Sequence, residues 1–172
     1  ENGVDFEEKK MVILGAGGAA KAIAYQATQD VGELVILNRT AAKAKKLAEM
    51  LKGLGAKVKA GTLSLDNLNE ELCTTNILIN ATSAGMYPNI ESSPVPSGLL
   101  HSDLCVMDII YKPLETKLLK DAKSAGAKVV SGLEMLLYQG AVAFEIWTNY
   151  PAPLEVMRKA TLNELEKQGV SL

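Results

Sequence analysis

A cluster of glycines near the start of the chain has the residue types and spacing to hold a phosphate group. Gly15, Gly17 and Ala20 match the G-x-G-x-x-G/A spacing of a dinucleotide-binding turn, and Gly18 is an additional glycine. Glycine tolerates positive φ and lets an anion approach the backbone closely. The unpaired amides and the dipole of a following helix also attract anions. This stretch therefore predicts a pyrophosphate-binding turn.

The segments around the glycines favour this interpretation over a structural turn without a ligand. An apolar run at residues 11–14 predicts a strand, and residues 19–28 carry small and apolar side chains at helical spacing. A second apolar strand, at 34–37, ends where a dinucleotide-binding fold places the residue that contacts the adenosine ribose.

The residues after that second strand favour NADP over NAD. NAD-binding folds have an Asp or Glu there, which accepts a hydrogen bond from the ribose 2′-hydroxyl. This chain has Asn38 and Arg39 instead, and a guanidinium binds a 2′-phosphate through charge-assisted hydrogen bonds. Lys43, one helical turn further on, either adds a second positive charge or belongs to a solvated face with Lys45 and Lys46.

Strands and helices alternate along the rest of the chain. Further strands are predicted at 57–61, 76–80, 105–110 and 128–130, and helices at 41–51, 64–72 and 115–125. This alternation predicts an α/β fold with a doubly wound, parallel, six-stranded Rossmann sheet in the order 3-2-1-4-5-6. Thr40 is the expected N-cap of the helix at 41–51. We expect residues 1–10 to be a linker or helix tail and 11–150 to be the NADP-binding domain.

Two extra helices are predicted at the C-terminal end, at 133–147 and, within residues 151–172, at 154–167. The first is apolar on nearly every side, and a helix of this kind must be covered on both sides. A Rossmann sheet can cover only one of them. Gln139 lies in the middle of this helix and is expected to be buried, which is costly without a hydrogen-bond partner. We therefore expect a surface outside this core to cover the other side.

Composition limits the possible partners. The chain has 172 residues, 48% of them hydrophobic and 22% charged, as is typical of a globular domain. A net charge of −2 and a pI near 5.5 argue against nucleic-acid binding. No apolar run approaches the ~20 residues of a membrane span, and no secretory signal is recognised. A small-molecule ligand and a cytoplasmic location are expected.

Few side chains are candidates for nucleophilic or metal chemistry. Cys73 and Cys105 are expected to be buried or half-buried free thiols, because no second type of metal ligand lies at a workable spacing. His101 is the only histidine and is expected in a loop beside Asp103. Neither a metal site nor a catalytic triad is predicted.

Five sequence blocks resemble the shikimate dehydrogenase family. They are the glycine turn at 15–22, Asn-Arg-Thr at 38–40, Asn-Ala-Thr-Ser-Ala-Gly-Met at 80–86, Asp-Ile-Ile-Tyr at 108–111 and Gly-Leu-Glu-Met-Leu-Leu-Tyr-Gln-Gly-Ala at 132–141. They follow in order across almost the whole chain, which is more specific than any one block. The resemblance implies NADPH-dependent reduction of 3-dehydroshikimate to shikimate, a step of aromatic amino-acid biosynthesis.

The resemblance also implies roles for individual residues. The cofactor positions are Gly15, Ala16, Gly17, Gly18 and Ala19 at the pyrophosphate; Asn38, Arg39, Thr40 and Lys43 at the 2′-phosphate; Thr82 and Ser83 at the crevice wall near the adenine-side ribose; and Ile109, Gly132 and Met135 at the nicotinamide. Tyr111 and Gln139 match substrate-contacting positions. Three residues keep structural alternatives: Thr82 as a loop residue bonded to its own backbone, Met135 as core packing and Tyr111 as the cap of a strand.

Members of the family carry an N-terminal domain that binds the substrate and supplies a catalytic lysine-aspartate pair. This chain is expected to start after that domain, so no catalytic residue is assigned to it; Asp108 and Lys112 match no catalytic position. The expected partners are shikimate or 3-dehydroshikimate and the N-terminal domain, towards which residues 151–172 would pack. A homodimer formed through exposed apolar helices stays an open alternative.

Two other functions also stay open. One is a stand-alone nucleotide-binding module whose separate partner chain docks on the helix at 133–147. The other is a dehydrogenase for quinate or an aminated analogue, because the residues that select ring substituents lie mostly in the N-terminal domain of the family.

Replacing Arg39 with Asp is expected to reverse the cofactor preference from NADP towards NAD. Each charge-assisted hydrogen bond contributes about 1.5–3 kcal/mol, so Arg39 supplies on the order of a ten- to a hundredfold preference. Titration of the variant with both cofactors measures the change. Equal or tighter NADP binding by the variant would contradict the assignment.

Overall fold

The computed structural model describes residues 5–168. The strands of its sheet are β1 (Lys10–Leu14), β2 (Glu33–Asn38), β3 (Val58–Thr62), β4 (Ile77–Asn80), β5 (Cys105–Asp108) and β6 (Lys128–Val130). The α-helices are α1 (Gly18–Ala27), α2 (Ala41–Lys52), α3 (Leu65–Leu72), α4 (Lys117–Ser124), α5 (Gly132–Thr148) and α6 (Leu154–Lys167), and a short 3-10 helix spans Ser97–Leu99.

The sheet confirms the predicted fold. Its strands are all parallel and lie in the order β3-β2-β1-β4-β5-β6. Every predicted strand and helix is present, with ends that differ from the expected ones by at most two residues. β1 begins at Lys10, inside the segment expected to be a linker. The parts of the expected terminal segments at 1–4 and 169–172 lie outside the described residues.

Both faces of the sheet are covered, as parallel sheets require. Alternate residues of β1 point to opposite faces: Met11 and Ile13 pack with α1 and α2, whereas Val12 and Leu14 pack with α3 and α4. The buried side of α1 consists of alanines, and their small side chains allow the helix to lie close to the sheet. This close packing fixes the N-terminus of α1 beside the end of β1.

The start of α2 differs from the expectation for Thr40. Thr40 is the N-cap residue, but its side chain makes no capping hydrogen bond. Instead, the Asn38 side-chain amide donates to the Thr40 carbonyl oxygen at 3.0 Å. The turn after β2 is therefore held by Asn38, and the amides that open α2 lack a side-chain cap.

The residues considered for nucleophilic or metal chemistry are scattered. Cys73 is exposed, contrary to the expectation of burial, because it follows the C-terminal end of the surface helix α3; Cys105 is half-buried. Nε2 of His101 lies 3.1 Å from the Leu72 carbonyl oxygen. Within residues 5–168, no cluster of three or more His, Cys, Asp or Glu side chains could hold a metal ion. No helix in that range is both long and apolar enough to cross a membrane.

The two C-terminal helices form a small unit at the end of the sheet. Leu133 and Leu137 of α5 pack against Leu165 of α6. The Arg158 guanidinium donates to both carboxylate oxygens of Glu134, which joins the helices by a bidentate ion pair. The outer side of α5 is apolar and exposed, with Trp147 82% accessible.

Gly132→Ala is expected to lower the free energy of unfolding by about 1–3 kcal/mol. The added methyl group would lie 2.3 Å from the carbonyl oxygen of Ile109, so the start of α5 would have to move. Gly140→Ala in the same helix is the matched control, because its methyl group would meet only the flexible end of Met157 at 3.2 Å. Denaturant unfolding measures both. A Gly132→Ala protein as stable as the wild type would contradict this account.

Glu134→Gln is expected to destabilise the chain by about 1 kcal/mol at neutral pH. The hydrogen bonds from Arg158 lower the pKa of Glu134, against the opposing effect of burial. A lowered carboxyl pKa stabilises the folded state above the unfolded pKa of about 4.3, and this stabilisation is lost as the pH falls through the folded pKa. Unfolding measured from neutral to acid pH should therefore show the difference from wild type shrinking.

The exposed Glu166 on α6 provides the control for this series. Glu166→Gln should leave the stability unchanged at every pH. A Glu134→Gln deficit that stayed constant down to acid pH would contradict the assigned ion pair.

Candidate functional site

Three loops leave the sheet side by side at its carboxyl edge. The backbone ladder continues beyond the strands: the Gly15 amide donates to the Leu37 carbonyl oxygen at 2.7 Å, and the Ala81 amide donates to that of Leu14 at 2.8 Å. The Ile109 amide donates to the Asn80 carbonyl oxygen at 3.1 Å. The strand order reverses between β1 and β4, and ligands of such folds bind in the crevice at this point.

The glycine turn is shaped by a close backbone contact. Gly15 has a φ of +115°, and a Cβ atom there would lie 2.6 Å from the Ala81 carbonyl oxygen, so only glycine fits. Gly17 and Gly18 are exposed, and a Cβ on either would meet nothing within 4 Å. Gly17 offers no side chain to cap α1, and the first turn of α1 contains no acidic residue. The positive end of this helix therefore opens onto free space beside Ala16 and Ala19.

Positive side chains gather next to this turn. A cavity of about 470 Å³ is lined by Ala16, Lys21, Lys43 and Lys46, with an apolar floor from α2. No carboxylate among residues 5–168 forms an ion pair with these three lysines or with Arg39. Lys21 was not among the expected ligand residues, and Lys46 was expected only on a solvated face. The spacing of three residues between Lys43 and Lys46 nevertheless places both on one side of α2.

An apolar pocket of about 650 Å³ lies between the loops that follow β4 and β5. Five of the residues expected to contact ligands line it, namely Thr82, Ser83, Ile109, Tyr111 and Met135. Tyr111 is 42% exposed and faces solvent at the rim. The pocket has the size and apolar character of a small-molecule site.

A second apolar cavity, of about 700 Å³, lies between α1 and α5. Gly18, Ala19, Met135 and Gln139 line it, so Met135 borders both cavities. Gln139 is exposed in this chain, and the expectation that it is buried is wrong. The physical reason is that the buried side of α5 carries Leu133 and Leu137, which pack with Leu165 of α6, and Gln139 lies outside this buried side.

Gly132 lies against the backbone of Ile109 and Ile110. A Cβ atom at this position would lie 2.3 Å from the Ile109 carbonyl oxygen and 2.6 Å from the Ile110 carbonyl carbon. The backbone approach at this position is so close that packing alone demands glycine. Gly15, Gly17, Asn38, Arg39, Thr40 and Gly132 are not among the residues that line the three cavities described here.

A buried polar network, which was not predicted from the sequence, lies beneath the apolar pocket. Asn80, Asp108 and Thr116 are each 0% exposed. The Asn80 amide nitrogen donates to Asp108 Oδ1 at 3.1 Å, and the Thr116 hydroxyl donates to Asp108 Oδ2 at 2.8 Å. Burial raises the pKa of Asp108 despite these hydrogen bonds. The only sequence signal was a polar residue ending each of two apolar strands.

Two family models match the chain. The model described as "Shikimate / quinate 5-dehydrogenase" matches residues 1–110, and the "Shikimate 5'-dehydrogenase C-terminal domain" matches residues 132–162. Together they include the glycine turn, the cation cluster and all of α5.

Several proteins of similar sequence and structure are named shikimate dehydrogenases. The shikimate dehydrogenase (NADP(+)) of Methanosarcina acetivorans is 46% identical over 166 residues, which are 96% of this chain and 59% of that protein. The shikimate 5-dehydrogenase of Listeria monocytogenes, solved with shikimate and NAD, aligns with a TM-score of 0.86 and 37% identity over 92% of this chain and 57% of that one.

A shikimate dehydrogenase solved in complex with NADP+ aligns with a TM-score of 0.83 and 42% identity, over 96% of this chain and 56% of that one. This chain thus spans less than three fifths of the length of these relatives. The chain belongs to the shikimate / quinate 5-dehydrogenase family.

Proposed function

We propose that this chain is the NADP(H)-binding part of a shikimate dehydrogenase, which reduces 3-dehydroshikimate to shikimate. The observation that carries the proposal is the arrangement along one sheet edge. An uncapped helix N-terminus, a group of cations that have no ion-pair partner within residues 5–168 and an apolar pocket follow one another. A dinucleotide phosphate needs the first two, and a nicotinamide ring needs the third.

The pyrophosphate would lie at the glycine turn at 15–19, held by the backbone amides from Ala16 to Ala19, because the Gly15 amide already donates to the Leu37 carbonyl oxygen. The exposed surfaces of Gly17 and Gly18 leave space for an anion in front of α1. The dipole of α1 adds favourable potential, and no acidic residue in its first turn opposes it.

The 2′-phosphate would lie at the start of α2. Asn38 shapes this turn through its hydrogen bond to Thr40, which leaves the Thr40 hydroxyl and the Arg39 guanidinium available to a ligand. Lys43, Lys46 and Lys21 add positive potential in the neighbouring cavity. This concentration of charge supports NADP(H) over NAD(H) as the cofactor.

The nicotinamide ring would enter the apolar pocket beside Ile109 and Met135, and Thr82 and Ser83 on the wall after β4 would lie towards the adenine-side ribose. Bound NADPH supplies the hydride that reduces the substrate carbonyl. The walls of the pocket keep water from the ring, and Tyr111 and Gln139 lie on either side of Met135 where they could contact a substrate.

The proton of the reaction would come from another domain. Residues 11–150 form the cofactor-binding unit in this proposal, and residues 151–172 pack towards an N-terminal domain that carries the lysine-aspartate pair of the family. The exposed apolar side of α5, including Val142, Ile146 and Trp147, is the surface such a domain would cover. A cytoplasmic location and a homodimer stay predictions.

A second candidate is a quinate dehydrogenase, because the matching family model describes both activities. The two substrates differ in ring substituents, and the residues that would select them lie mostly outside this chain. The cofactor site serves either reaction equally.

The proposal predicts cofactor binding without turnover. Calorimetric titration of the folded chain should show NADP+ binding about ten- to a hundredfold tighter than NAD+, whereas Lys45→Gln, a substitution on α2 outside the lysine-lined cavity, should leave both affinities unchanged. The chain with 3-dehydroshikimate and NADPH should oxidise little or no cofactor, because no proton donor is assigned to it.

Failure to bind NADP+ would overturn the cofactor assignment. A rate near ~10 s⁻¹, typical of whole enzymes, would overturn the division of the active site between two domains. Light scattering tests the alternative of a stand-alone module, since a defined complex with a separate partner chain would favour it.

A further inference from the structure

We infer that Asp108 is a positioning residue, which through Asn80 and Thr116 fixes both walls of the apolar pocket and, through the wall that Thr116 ties down, orients the ring bound against Ile109. This inference rests on the proposed function, because the ring in question is the nicotinamide of NADP(H). It assigns a task to a buried carboxylate that the cofactor and substrate contacts do not use.

Sheet register brings the two central side chains together. β4 and β5 are parallel neighbours, and Asn80 is the register partner of Asp108 at the last position of both strands. Both residues are fully buried, and the Asn80 amide nitrogen lies 3.1 Å from Asp108 Oδ1. The two loops that form the pocket begin immediately after this pair.

Asn80 holds the first wall. Its Oδ1 accepts hydrogen bonds from the Thr82 amide at 3.0 Å and the Thr82 hydroxyl at 2.7 Å. Its Nδ2 also donates to the Ala84 carbonyl oxygen at 3.2 Å. The side-chain amide of Asn80 therefore holds the loop at 81–84 by hydrogen bonds. The bond to Asp108 sets the orientation of this amide.

Asp108 holds the second wall. Its Oδ1 also accepts from the Ile110 amide at 3.1 Å, and its Oδ2 accepts from the Thr116 hydroxyl. Thr116 in turn caps α4 by accepting a hydrogen bond from the Leu119 amide at 3.3 Å. The loop that carries Ile109 and Tyr111 is thus tied to the carboxylate near both of its ends.

The arrangement needs a charged acceptor. Three donors, from Asn80, Ile110 and Thr116, converge on Asp108, and a carboxylate can accept all three. A neutral amide would present a donor to at least one of them. In residues 5–168 no Lys, Arg or His forms an ion pair with Asp108, so the hydrogen bonds alone compensate its burial.

The Thr116 branch of the network touches only one half of the proposed cofactor site. It ties down the wall that carries Ile109, whereas the wall that carries Thr82 would lie towards the adenine-side ribose, and the 2′-phosphate group would bind at Arg39 and Lys43. Loosening the Thr116 branch should therefore weaken binding of the nicotinamide end and spare the adenosine end.

The test compares two ligands on the same variants. NADPH occupies both halves of the site, and adenosine 2′,5′-bisphosphate occupies only the adenosine half. Asp108→Asn and Thr116→Val should each weaken NADPH binding by about tenfold, the effect of one charge-assisted hydrogen bond. Adenosine 2′,5′-bisphosphate should bind Thr116→Val within about twofold of wild type. Thr116→Ser, which keeps the hydroxyl, should restore NADPH binding.

The fluorescence of bound NADPH gives a second readout, because it reports the surroundings of the nicotinamide; it should change in Thr116→Val and return in Thr116→Ser. Asp103→Asn, an exposed carboxylate before β5, is the control and should change neither ligand. If Asp108→Asn does not fold, the two Thr116 variants carry the test.

Equal weakening of both ligands in Thr116→Val would assign the network a purely structural role and overturn the inference, as would unchanged NADPH binding. Failure of the wild-type chain to bind either ligand would instead overturn the proposed function, and with it the inference.

Discussion

Neighbouring loops at the carboxyl edge of the sheet approach one another so closely that two positions cannot carry a side chain. At Gly15 the obstacle is the Ala81 carbonyl oxygen, and at Gly132 it is the backbone of Ile109. At Gly15 the contact joins the end of β1 to the residue after β4, and at Gly132 it joins the start of α5 to the residues after β5. These two contacts fix the glycine turn on one side of the apolar pocket and the start of α5 on the other, so the width of the crevice depends on both.

Charge is distributed unevenly over a chain that is nearly neutral overall. The net charge is −2, yet Arg39 and the three lysines of the neighbouring cavity have no ion-pair partner among the described residues. Within residues 5–168, at least six other cations form ion pairs, as Lys10 does with Glu71 and Arg158 with Glu134, whereas some surface lysines such as Lys45 form none. Because unpaired cations repel one another, their grouping at one helix N-terminus is best explained by an anionic ligand.

The molecule has one part whose apolar core side chains are covered and another part whose apolar side chains are partly exposed. The six-stranded sheet is covered on both faces by α1 to α4. α5 buries one side against α6, while its other side leaves Ile146 and Trp147 exposed. The exposed apolar side continues past Gln139, a residue with a proposed substrate contact. A partner surface at this place would enclose the crevice and cover the helix at the same time.

The sequence by itself determined the fold, the glycine turn and the cation after β2, because these depend on local properties: hydrophobic periodicity, the conformational freedom of glycine and the charge of Arg39. The tertiary structure decided the exposure of Gln139 and Cys73 and the hydrogen-bond network around Asp108. Asn80 and Asp108 lie 28 residues apart and meet only through the register of two strands. Contacts of this kind depend on how elements pack, and no local pattern encodes that packing.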